Sequence, residues 1–214
     1  MTVRPIDGSD ARGSARLEVR WILPGPPPSP ALDWFEAYPV TTEAREDSYL
    51  VVPRLPGLAV KIRGHTAVDV KAYRGSPGTL EVPGAAEGRL GLWSKWSFLL
   101  GERIQYPVDS RSWQRVEKRR RMTAFLPDDD RVIAAPLAPD DRLICVVELS
   151  DVAVGDATWW TLALESAGPT DRLRDAIVAT AGRFLGSGMP AQIRLRLEDS
   201  RPYSEWLEGV EARD

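Results

Sequence analysis

The segment at residues 112–125 reads SWQRVEKRRRMTAF and places four consecutive basic residues inside a partly apolar stretch. If this segment is a β-strand, successive side chains point to opposite faces. Lys118 and Arg120 then share one face. Arg119 and Arg121 share the other. A sheet with cations on both faces needs water on both sides, or an interior wide enough to hold an anion. An ordinary solvated face is the simpler alternative.

The first strand-like segment, Ala15–Leu23, also alternates between two faces. Its apolar face carries Leu17, Val19 and Trp21, and its charged face carries Arg16, Glu18 and Arg20. A strand of this kind is half buried and presents its charges as an ordered row on the second face.

Two further pairs of segments repeat this pattern. One pair, Leu58–Arg63 and Ala67–Tyr73, flanks Gly64-His65, a sequence typical of a hairpin turn. In these two segments Lys61, Arg63 and Lys71 lie on the face opposite to the apolar residues. Arg142–Leu149 and Ala157–Glu165 are apolar strands that each contain a carboxylate near the end, Glu148 and Glu165. Single charges on otherwise apolar strands therefore recur along the chain.

The bulk composition excludes several classes of protein. The chain has 214 residues, a formal net charge of -3, one cysteine and one histidine. Cys145 cannot form an internal disulfide or a cysteine-based zinc site, and we expect it to be a small buried residue. The lone His65 argues against a histidine-rich metal site or a Ser-His-Asp triad. The acidic balance predicts no nucleic-acid or membrane binding by bulk electrostatics.

The chain is expected to form one domain, residues 15–210, after a loose leader at residues 1–14. No apolar run approaches 18 residues and the first residues lack the apolar core of a secretory signal, so we expect a cytoplasmic protein. Residues 75–91 are rich in Gly and Pro and predict a long connection. Residues 92–100 fit either a strand or a helix, whereas 171–185 predicts a helix and 202–207 a final helical turn.

The charged strands allow two arrangements. In a sandwich, the polar faces are solvated. In a closed barrel, the apolar faces pack outward under helices and the charges line the interior. The inward cations would be Arg20, Lys61, Arg63, Lys71, Lys118 and Arg120, and the inward carboxylates Glu18, Glu148 and Glu165. Lys and Arg neutralise phosphoryl oxygens, and glutamates hold hard divalent ions, so this arrangement predicts phosphate chemistry.

The order of these segments resembles the CYTH superfamily of triphosphate tunnel enzymes, which includes class IV adenylate cyclases, thiamine triphosphatases and inorganic triphosphatases. The likeness covers roughly residues 15 to 208. The opening Glu-x-Glu-x-Lys strand of that family is similar to 16–20. Its later basic and acidic strands are similar to Arg45–Tyr49, Lys61–Arg63 followed by Lys71, Lys118–Arg120, Glu148, Ala163–Glu165, Gly182–Gly186 and Pro202–Leu207.

The resemblance implies an α+β fold built on an eight-stranded closed antiparallel β-barrel with flanking helices. It also implies Mg²⁺ or Mn²⁺ bound by Glu18, Glu148 and Glu165, with phosphate groups on the six inward cations. The chain departs from the family at three positions: Arg16 replaces the first Glu, Arg20 replaces the Lys, and Ala163 replaces a late Glu. Two metal-binding carboxylate positions are thereby lost, and Arg16 places a cation where a metal would bind.

Two functions follow as expectations. The first is a metal-dependent phosphohydrolase acting on a triphosphate- or polyphosphate-bearing small molecule. The second is a non-enzymatic binder of a phosphorylated ligand or polyphosphate that uses the same tunnel. A protein-interaction module using the eight tryptophans and the proline-rich residues 24–30 is a third possibility, and RNA binding through residues 119–121 a fourth. The sequence gives no indication of the oligomeric state.

Overall fold

The computed structural model describes residues 3–5, 13–100, 112–135, 142–186 and 188–210. The strands within these ranges are β1 (Val3–Pro5), β2 (Ser14–Pro24), β3 (Thr41–Leu50), β4 (Leu58–Arg63), β5 (Ala67–Gly75), β6 (Thr79–Val82), β7 (Ala86–Arg89), β8 (Gly91–Leu100), β9 (Trp113–Leu126), β10 (Arg131–Ala134), β11 (Ile144–Val154) and β12 (Ala157–Ala167). The α-helices there are α1 (Ser29–Glu36), α2 (Leu173–Phe184) and α3 (Tyr203–Glu208).

Eight of these strands form a closed antiparallel barrel. Going around it, the order is β8, β2, β12, β11, β9, β3, β4 and β5, and β5 pairs with β8 to complete the circle. β1 adds to the free edge of β8, β10 pairs with the last residues of β9, and β6 and β7 form a separate hairpin. The predicted closed eight-stranded barrel with flanking helices is confirmed.

The β4–β5 hairpin shows how local sequence fixes the register. Gly64 and His65 both have positive φ, at 54° and 64°, and Thr66 N–H donates to the Arg63 carbonyl. Positive φ at both central residues is the geometry of a type I′ turn, whose twist matches that of the flanking strands. This turn sets Lys61 opposite Asp69, and both side chains point into the barrel.

The outer faces of β2, β11 and β12 carry the main apolar core. Leu17, Val19 and Trp21 pack with Phe35 of α1 and with Ile177 of α2 in one buried cluster. Because the helices cover these outward apolar faces, the inward faces are left to the charged residues. The same core contains Cys145, and burial raises the pKa of its thiol to about 12, in keeping with the expected small buried residue.

Several local predictions need correction. The connection at residues 75–91 contains the β6–β7 hairpin. Residues 92–100, which fit either a strand or a helix by sequence, belong to strand β8. The helix predicted over 171–185 begins at Leu173, after a 3₁₀ turn at Thr170–Arg172. Within the leader at 1–14, Val3–Pro5 forms β1 and Ser14 begins β2, while residues 6–12 lie outside the described ranges. In the part of the chain that is described, no helix is both long and apolar enough to cross a membrane.

Candidate functional site

The barrel encloses a cavity of about 450 Å³, here called the bore, to which all eight barrel strands contribute. Its lining residues recur at every second position of each strand, as the pleat of a strand requires. The volume falls in the range of small-molecule sites. Nine cations and five carboxylates line it: Arg16, Arg20, Arg45, Lys61, Arg63, Lys71, Lys95, Lys118 and Arg120, with Glu18, Glu43, Asp69, Glu148 and Glu165.

All nine residues singled out from the sequence line the bore. Alternation alone leaves open which face of β9 points inward, and in the structure Lys118 and Arg120 face the bore while Arg119 is exposed on the outside. The structure therefore brings the candidate cations and carboxylates together. Their assignments as phosphate ligands and metal ligands stay predictions.

Lys71 connects two carboxylates at the centre of the bore. Glu18 and Glu165 lie directly opposite each other on β2 and β12. The Lys71 ammonium donates to Glu18 Oε2 and to Glu165 Oε2, both at 2.6 Å, and Arg16 Nε lies 3.7 Å from Glu165 Oε1. Burial alone would lower the pKa of Lys71, but Glu165 and Glu18 outweigh it and raise that pKa above its ordinary value. Like charges placed directly opposite are destabilising, and the ammonium relieves this.

A second cluster surrounds Glu148. Arg120 donates to its Oε2 from Nε at 3.0 Å and from Nη2 at 2.5 Å, and Arg20 Nη1 lies 3.4 Å from its Oε1. Ser150 Oγ donates to the same Oε1 at 2.9 Å. Burial would raise the pKa of Glu148, but Arg120 and Arg20 outweigh burial and hold that pKa well below its usual range.

Ala163 explains how Arg20 reaches Glu148. Ala163 pairs with Arg20 on β2 and with Glu148 on β11, so it lies between them in the sheet. Its methyl group leaves space for the arginine to extend across β12, where Nη1 also lies 3.3 Å from Thr161 Oγ1. The small residue at 163 is thus matched by an arginine at 20 that contacts both Glu18 and Glu148.

Behind the wall of the bore lies a buried aspartate, Asp47, that the sequence did not single out. Asp47 accepts from Lys61 Nζ at 3.1 Å and lies 3.3 Å from Lys118 Nζ and 3.0 Å from Arg45 Nε. Its side chain is fully buried. Burial would raise the pKa of Asp47, but Lys61, Lys118 and Arg45 outweigh it and hold that pKa far below the usual range.

A second aspartate, Asp69, lines the bore beside several cations. Ser97 Oγ donates to Asp69 at 2.7 Å, and the ammonium of Lys61 and the guanidinium of Arg63 lie 3.6 and 3.7 Å from Oδ2. Lys95, on β8, faces the bore nearby, and no hydrogen bond or ion pair of its ammonium is found among the described residues. Burial lowers the pKa of Lys95 to about 8, although Glu165 and Asp69 act in the opposite direction.

Sequence reasoning missed Arg45, Lys95, Glu43, Asp47 and Asp69 as members of the site. Asp69 had a usable signal, because it alternates with Val68 and Val70 on the same strand as Lys71. Lys95 had a weaker signal. Its strand carries large aromatic residues on both faces, Trp93 on the same face as Lys95 and Trp96 and Phe98 on the other, so no apolar face stands out from a polar one.

The bore residues do not fit an Mg²⁺ or Mn²⁺ ion. Glu18, Glu148 and Glu165 each contact at least two cationic side chains of the protein itself. A hard divalent ion needs about six oxygen ligands, which carboxylates and water molecules supply together. Carboxylates that are already paired with Lys or Arg are poor ligands for such an ion. Across the described residues, no group of three or more His, Cys, Asp or Glu side chains is arranged to hold a metal.

Helix α3 closes one end of the bore. Pro202, Tyr203 and Ser204 line the cavity there, and the Tyr203 ring lies 3.8 Å from Lys118 Nζ and 4.6 Å from Arg20 Cζ. A smaller cavity of about 290 Å³ adjoins this end and shares Glu18, Arg20, Trp93 and Pro202 with the bore. Tyr73 and Trp93 meet edge to face beside it, with ring centroids 5.1 Å apart.

The chain was compared with protein families, curated proteins and solved structures. No protein-family model matches the chain, and no curated protein sequence matches it. Among solved structures, the chain is similar to that of the PH1819 protein from Pyrococcus horikoshii OT3. The identity is 14% and the TM-score 0.44, over 91% of this chain and 99% of that one. A similarity at this level does not establish a shared function.

Proposed function

We propose that this protein is a CYTH-like tunnel that binds a phosphorylated small molecule or polyphosphate in its bore, without metal-dependent hydrolysis. The ligand is held by cationic side chains on the inner wall. The proposal combines the resemblance of the charged strands to the CYTH superfamily with the balance of charges around the cavity.

The observation that carries the proposal is the excess of cations in the bore. Nine cations and five carboxylates line the cavity. Asp47, which lies behind the wall and contacts Lys61, adds one more negative charge, and the cations remain in excess. Uncompensated charge is costly in a site sheltered from water. A polyanion supplies the missing negative charge, and Arg and Lys are the residue types that bind phosphoryl oxygens well.

The lysines support the same conclusion. Burial lowers the pKa of Lys61, Lys95 and Lys118 to about 8 in each case, against partial compensation by carboxylates that include Asp47 and Asp69. The pKa of a buried lysine falls in this way when the nearby negative charge is too small to offset the cost of burying its positive charge. Phosphate oxygens beside these ammonium groups would restore the balance.

Isothermal titration calorimetry with inorganic tripolyphosphate, in buffer containing EDTA, tests the proposal. We expect the wild type to bind, and Lys95→Met to bind at least ~10-fold more weakly, as loss of a charged hydrogen bond costs ~1.5–3 kcal/mol. The matched control is Arg119→Met, which removes one positive charge from the exposed outer face of the barrel. Equal weakening in both variants, or no binding by the wild type to any phosphorylated ligand, would rule the proposal out.

A metal-dependent triphosphatase is the second candidate, and the observation favouring it is that Glu18, Glu148 and Glu165 all line one cationic cavity. Phosphate release from tripolyphosphate with Mg²⁺ and then Mn²⁺ separates the two functions. The comparison is wild type with Glu165→Gln. We expect no release above background from either protein. Release by the wild type that disappears in the variant would establish the hydrolase instead.

A further inference from the structure

We propose that Lys71 and Arg16 are a built-in replacement for a divalent cation, so that Glu18 and Glu165 are neutralised by the chain itself. The two side chains together carry two positive charges, which is the charge of one divalent ion. The inference concerns the same cavity as the proposed function, but it does not depend on which ligand that cavity takes.

The geometry of Lys71 supports the replacement. Its ammonium lies between two carboxylates that face each other across neighbouring strands, and it donates to one oxygen of each at 2.6 Å. Two opposed carboxylates would otherwise repel each other or share a metal. Lys71 reaches this place from β5 across β8, so the contact depends on the pairing of β5 with β8 that completes the barrel.

Arg16 completes the neutralisation. It stands two residues before Glu18 on β2, so both side chains face the bore, and its Nε lies 3.7 Å from the second oxygen of Glu165. Its cross-strand partner on β12 is Ala167, whose small side chain leaves room for the guanidinium. Glu165 is therefore contacted through both of its oxygens by cations of the protein.

The remaining carboxylate of the predicted metal set is neutralised separately. Arg20 and Arg120 contact Glu148, and Arg20 also donates to Glu18 Oε1 at 2.9 Å. An arginine cannot lose its proton in a protein, so this positive charge is permanent. Every carboxylate oxygen of Glu18, Glu148 and Glu165 therefore contacts a cationic side chain of the protein.

Electron paramagnetic resonance of Mn²⁺, which counts free ions in the presence of protein, tests the replacement without any phosphate. We expect the wild type and Glu165→Gln to bind Mn²⁺ equally weakly, because the bore carboxylates are already neutralised. We expect the double variant Arg16→Gln/Lys71→Met to bind one Mn²⁺ at least tenfold more tightly than the wild type. Adding Glu165→Gln to that double variant should abolish the new site.

The control is Arg115→Gln/Arg119→Gln, which removes two positive charges from the exposed outer face of β9 and should gain no Mn²⁺ site. Circular dichroism establishes that each variant is folded. Stoichiometric Mn²⁺ binding by the wild type that is lost in Glu165→Gln would overturn the proposal. So would a folded double variant that binds no more Mn²⁺ than the wild type. If the double variant does not fold, the comparison of Mn²⁺ binding between the wild type and Glu165→Gln still tests the proposal.

Because Mn²⁺ is the only probe, failure of this inference differs from failure of the proposed function. A protein that binds tripolyphosphate in EDTA but also holds Mn²⁺ through Glu165 contradicts the replacement alone. A protein that shows the expected Mn²⁺ behaviour but binds no phosphorylated ligand contradicts the proposed function alone.

Discussion

The bore depends on a few acidic residues, each of which holds several cations in place. Asp47 is the most buried of them and contacts Lys61, Arg45 and Lys118 within 3.3 Å. Three cations converge on one carboxylate that has no access to water. A buried ion pair contributes little net stability in itself, but removing one partner leaves charges that nothing neutralises.

Replacing Asp47 with Asn keeps the volume of the side chain and removes its charge. We expect this change to lower the free energy of unfolding by about 3–5 kcal/mol, because the three cations around the buried carboxylate lose their shared partner. Urea unfolding followed by circular dichroism measures the loss. The control is Asp128→Asn, which breaks an exposed ion pair with Arg172 and should leave the unfolding midpoint where it was. A midpoint for Asp47→Asn equal to that of the control would contradict this account of the cluster.

At the level of single residues, alternation within strands identified most of the nine predicted bore residues, whereas Glu148 and Glu165 were identified as single carboxylates in apolar strands. Glu18, for example, follows from the period of two in its strand, whereas the cations on both faces of residues 112–125 left the inward side of that strand open. The contact between Lys71 and the Glu18–Glu165 pair did not follow. That contact depends on which strands become neighbours when the barrel closes, and strand order is not contained in the pattern of any one strand.

Among the helices, α3 has the most direct effect on the site because it closes one end of the bore. Its first residue, Tyr203, packs between Tyr49 and Trp206 and lies over the ammonium of Lys118. Ser204 Oγ donates to the Pro56 carbonyl at 2.7 Å, which ties the helix to the β3–β4 loop. A cation over an aromatic face in a desolvated site is stabilising by about 2 kcal/mol.

Tyr203→Leu should therefore lower the free energy of unfolding by about 2 kcal/mol, because Lys118 and Arg20 lose the aromatic face. Tyr203→Phe keeps the ring and should retain most of that stability. Chemical denaturation of the two variants side by side measures the difference. Equal losses in both would mean that the hydroxyl, and not the ring, is responsible.

Element types were predictable where the local pattern was strong. The type I′ turn at Gly64-His65 and the final helical turn were both present in the sequence as short-range signals. β8 was ambiguous because its apolar and aromatic residues occupy both faces, one turned to the bore and the other to the outside. Pairing with β2 and β5, a long-range effect, is what makes it a strand.

For the molecule as a whole, the protonation of the bore lysines links pH to ligand binding. The lowered pKa of about 8 for Lys61, Lys95 and Lys118 means that they are charged below pH 8 and lose their protons above it. A bound polyanion stabilises the charged form and raises these pKa values. Affinity is then fully present below pH 8 and decreases as the pH rises above that value.

Tripolyphosphate affinity should accordingly fall by at least ~10-fold between pH 7.5 and 9.5, since each lysine that must regain a proton costs up to tenfold per pH unit above its pKa. Calorimetry in two buffers of different ionisation enthalpy at pH 8.5 should also show uptake of protons on binding. Lys95→Met should give a shallower pH dependence than the wild type. A flat profile over this range would mean that the arginines alone hold the ligand.

The most direct measurement is a crystal structure of the protein grown with tripolyphosphate and EDTA. We expect phosphate density inside the bore against Lys61, Arg63 and Lys95, with the Lys71 ammonium still between Glu18 and Glu165. Phosphate found only on the outer surface of the barrel, or Lys71 displaced from the two glutamates by a retained metal ion, would contradict this expectation.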